Sequence, residues 1–176
     1  MKNLALVATT GILVLGSAQG PAAAAPPLTP TAHSKVYHTE TVIAAAPATI
    51  WGVMMDLPRY GEWNPWLIHA EGDMVEGGSV QVDVILNGNT QKADHTVVTV
   101  EPYTRFCWKD AGWTTIFAPA QRCRTLTVQA DGTVKYVNEL IIFGVLAWVV
   151  DLSNGASLRS GMEGENAGLK HRAESL

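Results

Sequence analysis

The sequence predicts an α+β fold in which a long C-terminal helix packs against one face of an antiparallel sheet. Segments rich in Val, Ile and Thr, with alternating apolar and polar residues, fill most of the chain from residue 35 to residue 144. A short segment with helical spacing follows the first of them, and helical spacing returns after residue 144. A sheet with one apolar face must bury that face, and the C-terminal helix is the largest partner available.

Local signals place the strands and the first helix. Lys35 to Ala44 alternates and predicts the first strand. The segment APATIWGVMMDL carries Pro47 in its first turn and apolar residues at helical spacing, and Pro58 is expected to end this helix. Six further strands, joined by turns such as Asn87-Gly88 and Asp131-Gly132, are predicted over residues 66–73, 77–89, 91–102, 105–112, 121–132 and 133–144.

The C-terminal region has the spacing of one long helix. Leu158, Met162 and Leu169 recur at intervals of four and seven residues, which places them on one face. We predict a helix over Val145–Ala173, with Ser153-Asn154-Gly155 as a candidate kink. The apolar run LIIFGVLAWVV is about half a membrane span, so it is interpreted as a strand that leads into a buried helix.

Three glycines interrupt this predicted helix. Gly161, Gly164 and Gly168 would each lower helix stability by about 1 kcal/mol relative to Ala. Two interpretations are open at this point. Either the glycines allow the sheet or a ligand to approach the helix closely, or they leave the helix able to flex.

Composition limits the classes of partner. The chain has 176 residues, 47% of them hydrophobic and 16% charged, which is typical of one globular domain. The net charge of −4 and the absence of a basic run argue against nucleic-acid binding and against electrostatic docking on anionic lipid. The sequence does not indicate an oligomeric state.

The N-terminus has the pattern of a secretory signal peptide. Lys2 precedes an apolar run from Leu4 to Leu15, and small residues end at Ala22–Ala25. The alternative is an uncleaved anchor, but the run is well short of the ~20 residues that a span needs. We therefore predict a signal peptide over residues 1–25, a Pro-rich linker over 26–34 and one domain over 35–176. The protein is expected to be periplasmic or extracellular, with no stable membrane span in its mature form.

The two cysteines have two possible states. An oxidising compartment would permit a disulfide between Cys107 and Cys123, and the predicted pairing of their strands would bring them close together. The alternative is a pair of buried free thiols. Their spacing does not suit a metal site, and no histidine pair has metal-ligand spacing. No metal or other cofactor is predicted.

The segment that follows the first predicted strand carries a set of residues at characteristic positions, namely Pro47, Trp51, Asp56, Tyr60, Trp63 and Pro65. With this opening signature the chain resembles the START-related superfamily of helix-grip proteins, and within it the bacterial polyketide cyclase/dehydrase-like (SRPBCC) branch. The resemblance covers nearly all of the chain from Tyr37 to Glu174. It implies a curved antiparallel sheet of about six to seven strands wrapped on the long helix, with short helices after the first strand and a cavity between sheet and helix.

The resemblance also suggests which aromatic residues border the cavity. The Trp63–Trp66 segment would join the short helices to the second strand, with Trp63 as a packing clamp and Trp66 at the mouth. For every aromatic candidate, core packing is the alternative role. The candidate ligand-binding residues are Trp66, His69, Trp108, Trp113, Phe117 and Met162.

Three polar residues are candidates for catalysis. His95 lies on a predicted strand and could act as a general base, although a structural hydrogen bond is the alternative. Both faces of the last strand are apolar, so alternation does not decide which face is inward. The resemblance implies that Glu139 faces the cavity, where Arg122 or Arg124 on the neighbouring strand would be its partner. A salt bridge at the rim without chemistry is the alternative.

Two functions from different classes follow. The first is an exported protein that binds a hydrophobic or aromatic small molecule in the cavity. The second is a cyclase/dehydrase-like enzyme, without a metal, that acts on a reactive carbonyl or aromatic substrate in the same cavity. The sequence carries no nucleophile elbow, phosphate-binding loop, dinucleotide fingerprint or zinc-protease motif. Export argues against a cytosolic polyketide assembly line as the source of substrate, which favours binding.

Overall fold

The computed structural model describes residues 29–176, apart from the side chains of residues 113 and 114. The predicted signal peptide, 1–25, and the first residues of the predicted linker lie outside this range. At the end of the linker the Ser34 amide donates a hydrogen bond to the Thr31 carbonyl at 3.0 Å, which closes a turn before the first strand. Within the described residues, no helix is both long enough and apolar enough to span a membrane.

A single antiparallel sheet contains all seven predicted strands. They are β1 Lys35–Ile43, β2 Leu67–Gly72, β3 Ser79–Leu86, β4 Asn89–Glu101, β5 Arg105–Asp110, β6 Ala120–Val128 and β7 Val134–Ile142. Their order in the sheet is β1-β7-β6-β5-β4-β3-β2, so strands that follow one another in the sequence from β2 to β7 are also neighbours in the sheet. The first strand closes against the last, with Lys35 opposite Ile142. This arrangement is a curved sheet that faces one long helix, as predicted.

The helices differ in detail from the prediction. They are α1 Pro47–Met55, a 3-10 turn Leu57–Arg59, α2 Tyr60–Trp63 and α3 Ala147–Glu174. The first helix ends before Pro58, which lies inside the 3-10 turn, because proline suits the first residues of a new helical turn. α3 is continuous through residues 153–155, so the helix is not interrupted at the predicted kink. Gly155 faces the Tyr37 hydroxyl, so a small residue is needed at this position.

The three helix glycines allow a close approach of the Trp63–Trp66 segment. A Cβ atom on Gly161 would lie 2.5 Å from ring atoms of Trp66, and one on Gly168 would overlap the Trp63 carbonyl oxygen. The segment itself is held by Asn64, whose Oδ1 accepts a hydrogen bond from the Trp66 amide at 3.0 Å. Both tryptophans are largely buried. Of the two interpretations of the glycines, the structure therefore supports close packing.

Cys107 on β5 and Cys123 on β6 form a disulfide. The two residues are directly opposite each other in the ladder, and their Cα atoms are 4.2 Å apart. Both side chains are buried. The bond therefore joins the middle strands of the sheet in the same region that carries the candidate site.

The core is concentrated under the C-terminal half of α3. Met162 and Leu169 are fully buried there, together with Tyr60 of α2 and Tyr136 of β7. The N-terminal half of α3 is different, because Trp148 and Leu152 are more than half exposed. The sheet and helix are thus tightly packed at one end and separate at the other, where the cavity lies.

Candidate functional site

A cavity of about 450 Å³ lies between the inner face of the sheet and the first half of α3. This volume is within the range of small-molecule sites, which is roughly 300–1,000 Å³. Apolar side chains make up most of the wall, from β2, β3, β5, β6, β7 and α3. They include Leu67, Val82, Val84, Trp108, Ala120, Leu140, Ile142, Val150 and Leu158.

The mouth of the cavity is bordered by exposed apolar side chains. Phe117, Leu146 and Val149 line the cavity and are 50%, 38% and 39% exposed. The two segments that carry them are held together, because the Phe143 amide donates a hydrogen bond to the Pro119 carbonyl at 2.8 Å. An apolar molecule could therefore enter past these apolar side chains.

Five of the residues predicted from the sequence lie on the cavity wall. They are Trp66, His95, Trp108, Phe117 and Arg122. Trp66 is nearly buried, so it forms part of the inner wall rather than the mouth. Trp113 lies in a short 3-10 helix, Trp113–Ile116, and its side chain is outside the described part of the structure.

Three other candidates lie away from the cavity wall. Glu139 is on the outer face of β7, 39% exposed and 3.6 Å from His38. The expectation that it faces the cavity is wrong, because the pleat of β7 turns Asn138 and Leu140 inward instead. His69 is 53% exposed beside Glu71, on the edge strand β2, where the register shifts after Leu67. Met162 is fully buried in the core and is not part of the wall.

The carboxylate that pairs with the two arginines is Glu165, a residue that was not among the sequence-based candidates, rather than Glu139. Glu165 of α3 is 1% exposed. Its Oε2 accepts a hydrogen bond from Arg122 Nη2 at 2.7 Å, and its Oε1 accepts one from Arg124 Nε at 2.9 Å. Tyr136 donates a third, longer hydrogen bond at 3.4 Å. Burial alone would raise the pKa of Glu165, but the two arginine charges outweigh burial and lower it to about 2.

Aromatic rings and amides hold the two arginines in place. The Arg122 guanidinium lies 4.6 Å from the ring centroid of Trp66, and that of Arg124 lies 4.3 Å from Trp108. Arg122 Nε also donates to Asn138 Oδ1 at 2.9 Å. Cation–π contacts of this kind are strongest when the pair is desolvated. The result is a rigid layer of charge, and only Arg122 of its three charged members lines the cavity.

His95 and Asp110 form a second polar pair on the wall. Their closest atoms, His95 Nε2 and Asp110 Oδ1, are 3.6 Å apart, and the His95 ring stacks on Trp108 at 4.8 Å. Burial, with a further contribution from the charges of Arg122 and Arg124, lowers the pKa of His95 to about 4. Burial raises the pKa of Asp110 to about 7, although the Ala120 amide acts in the opposite direction. At neutral pH the pair therefore combines a neutral imidazole with a carboxyl group that can gain or lose a proton.

The raised pKa of Asp110 predicts a pH-dependent effect of Asp110→Asn. In the folded protein this pKa is above the unfolded value near 3.8, so ionising Asp110 lowers stability as the pH rises from about 4 to about 7. Asparagine does not ionise, so the variant does not lose stability in this way. The full shift would correspond to about 4 kcal/mol. Because the Asp110 side chain is about one-third exposed, solvent screens its charge, and we expect the stability of the variant minus that of the wild type to grow by about 1–2 kcal/mol across this range and then to level off. Chemical denaturation at several pH values measures this difference, and a difference independent of pH would contradict the assignment.

Spacing in the sequence could have identified Glu165. It lies three residues after Met162 and four before Leu169, on the face of α3 that those residues define. A carboxylate on the buried face of a helix requires a partner, and two arginines on one strand supply it. Asp110, which is partly buried at the end of β5, carried no comparable signal.

The described residues contain no group of three or more His, Cys, Asp and Glu side chains that could hold a metal ion. The polar side chains on the cavity wall include Arg122, His95 and Asp110. A guanidinium can bind a carbonyl or an anion, and the pair can exchange protons.

Searches against protein-family profiles and against curated proteins found no match. Comparison with solved structures did find similar folds. One is the di-domain aromatase/cyclase StfQ from the steffimycin biosynthetic pathway, with a TM-score of 0.65 and 13% identity over 81% of this chain. The chain spans about half of StfQ, since the match covers 51% of that protein.

Two further structures match over nearly their whole length. The Zhui aromatase/cyclase from Streptomyces sp. R1128 has a TM-score of 0.62 and 15% identity, over 81% of this chain and 94% of that one. A START superfamily protein from Mycobacterium smegmatis has a TM-score of 0.61 and 16% identity, over 80% and 97%. The chain has the START/SRPBCC-like helix-grip fold. At these identities the likeness establishes the helix-grip architecture, and function has to be argued from the cavity.

Proposed function

We propose that this protein binds a hydrophobic or aromatic small molecule in the helix-grip cavity. The observation that carries the proposal is the cavity itself, about 450 Å³ in volume and walled mainly by apolar side chains. A void of this size costs stability in a protein that has no use for it, because its lining loses packing contacts. The few polar groups on the wall could orient a ligand without filling the space.

We also propose that the protein works outside the cytoplasm. The support is the N-terminal sequence, in which one cation, an apolar run and an alanine cluster end at residue 25. The buried disulfide is consistent with an oxidising compartment. N-terminal sequencing of protein from its host tests this proposal, since an intact Met1 on soluble protein would contradict it.

A titration of tryptophan fluorescence tests ligand binding. Trp66 and Trp108 line the cavity, so an aromatic or fatty ligand should change their emission. We expect Ala120→Phe, which places a ring in the cavity, to weaken binding by about 100-fold or more, since the ligand and the ring would compete for one space. Val128→Phe on the same strand adds a ring at an exposed position and is the matched control. Equal binding by the two variants would mean that the ligand lies elsewhere.

A second candidate function is supported by the pair of His95 and Asp110. A carboxyl group with a pKa of about 7 is suited to proton transfer, which a cyclase or dehydratase requires. Two of the similar folds are aromatase/cyclases. Mass spectrometry of the ligand recovered after incubation distinguishes the two functions. A binding protein returns the ligand unchanged, whereas an enzyme returns a dehydrated or cyclised product.

A further inference from the structure

We infer that the ligand carries one anionic oxygen group, such as a carboxylate, and that this group binds Arg122 at the buried end of the cavity. This inference rests on the proposed binding function and specifies the class of ligand. It follows from three features of the charged layer formed by Arg122, Arg124 and Glu165. They are its charge, its hydrogen-bond donors and its position on the wall.

The charged layer has one positive charge in excess. Two arginines share the single carboxylate of Glu165, and all three side chains are at least 96% buried. His95 adds no charge near neutral pH. The charged partner within reach of Asp110 is His95 rather than an arginine. A buried charge without a counterion is costly, so an anion at this position would be stabilised.

The layer also has more donors than acceptors. Arg122 donates from Nε to Asn138 and from Nη2 to Glu165. Arg124 Nη2 and the indole nitrogen of Trp66 are buried without an acceptor among the described residues. Buried donors in folded proteins normally have acceptors. An anionic oxygen near Arg122 would supply an acceptor and the missing negative charge together.

The position of Arg122 directs this unsatisfied charge toward the cavity. Arg124 lies over Trp108 and is not on the wall, whereas Arg122 is. The ring of Trp66 and the hydrogen bond to Asn138 hold the Arg122 guanidinium in one orientation. The pKa of Arg122 is lowered by burial and by the charge of Arg124, against the attraction of Glu165. Apart from polar side chains such as His95, Asp110 and Lys92, the rest of the wall is apolar, so the ligand that fits is an amphipathic acid with its acidic end innermost.

Matched pairs of acids and alcohols test the inference. Decanoate against decanol, and naphthoate against naphthalenemethanol, keep the apolar part constant and distinguish a fatty ligand from an aromatic one. At neutral pH we expect the wild type to bind the acid of the preferred pair at least about tenfold more tightly than its alcohol, because a charge-assisted bond replaces a neutral one. Calorimetric titration measures both affinities.

Two variants localise the preference. Arg122→Gln is expected to bring the ratio of acid to alcohol affinity close to one. Lys92→Gln removes a cation from the cavity rim, where Lys92 pairs with Asp83 at 2.9 Å, and is expected to leave the ratio as in the wild type. A loss of preference in Lys92→Gln alone would place the anion at the rim and overturn the inference.

The comparison of acid and alcohol affinities in the wild type tests the inference even if Arg122→Gln does not fold. Equal affinity for acid and alcohol, or tighter binding of the alcohol, would overturn the inference and leave the proposed binding function intact. Failure of both members of both pairs to bind would count against the proposed function and against the inference that depends on it.

Discussion

Replacing Glu165 with Gln is expected to lower the free energy of unfolding by about 3–5 kcal/mol. The substitution keeps the shape of the side chain but removes the only carboxylate among the described residues that Arg122 and Arg124 contact. Both guanidinium groups would then be buried, close together and without a counterion. Urea denaturation followed by circular dichroism measures the change.

The matched control is Glu163→Gln, two residues earlier on the same helix. Glu163 is exposed, so its replacement is expected to change stability by less than about 0.5 kcal/mol. Similar small changes in both variants would show that the charged layer does not contribute as the geometry suggests.

The stability of the folded protein at acidic pH should also depend on the ionisation of Glu165. The pKa of Glu165 is lowered to about 2 in the folded protein, below its ordinary value of 4.5. Its contribution is therefore complete above about pH 4.5 and is lost as the pH falls toward 2. Glu165→Gln should lack this part of the acid sensitivity.

Removing the disulfide is expected to cost about 3 kcal/mol, the chain-entropy value for a loop closed by cysteines 16 residues apart. The bond joins β5 and β6 next to Trp108 and Arg122, so its loss should also loosen the cavity wall. Denaturation of Cys107→Ser/Cys123→Ser, compared with the oxidised wild type, measures the cost.

Reductant provides the internal control for this prediction. It should destabilise the wild type by a similar amount and leave the double variant unchanged. A wild type whose stability does not respond to complete reduction, verified by thiol titration, would contradict a structural role for the bond.

The strands and the long helix could be predicted because each carries its own local signal. Segments rich in Val, Ile and Thr marked the strands, and turn residues such as Asn87-Gly88 marked the joints. Element ends were less accurate, as at α3, which begins at Ala147 rather than Val145. The role of Gly155 could not be predicted, since the Tyr37 hydroxyl that it faces lies on a distant strand.

The polar part of the site was harder to predict for a physical reason. Both faces of β7 are apolar in sequence, so the resemblance alone selected Glu139, and it selected the outer face. The inward carboxylate comes instead from α3, and its identity depends on how helix and sheet pack. Arg122 was selected as a partner for Glu139, but its carboxylate partner in the structure is Glu165. Asp110, which is partly buried at the end of β5, gave no signal in the sequence.

Native mass spectrometry of the protein purified from its own host tests directly whether the cavity binds an amphipathic acid. We expect the wild type to retain one small amphipathic acid per chain, which dissociates on collisional activation, and Ala120→Phe to retain none. Wild type and variant that both carry no ligand, and that also bind none of the added acids and alcohols, would contradict it. An adduct present equally in both proteins would place the ligand outside the cavity and contradict it as well.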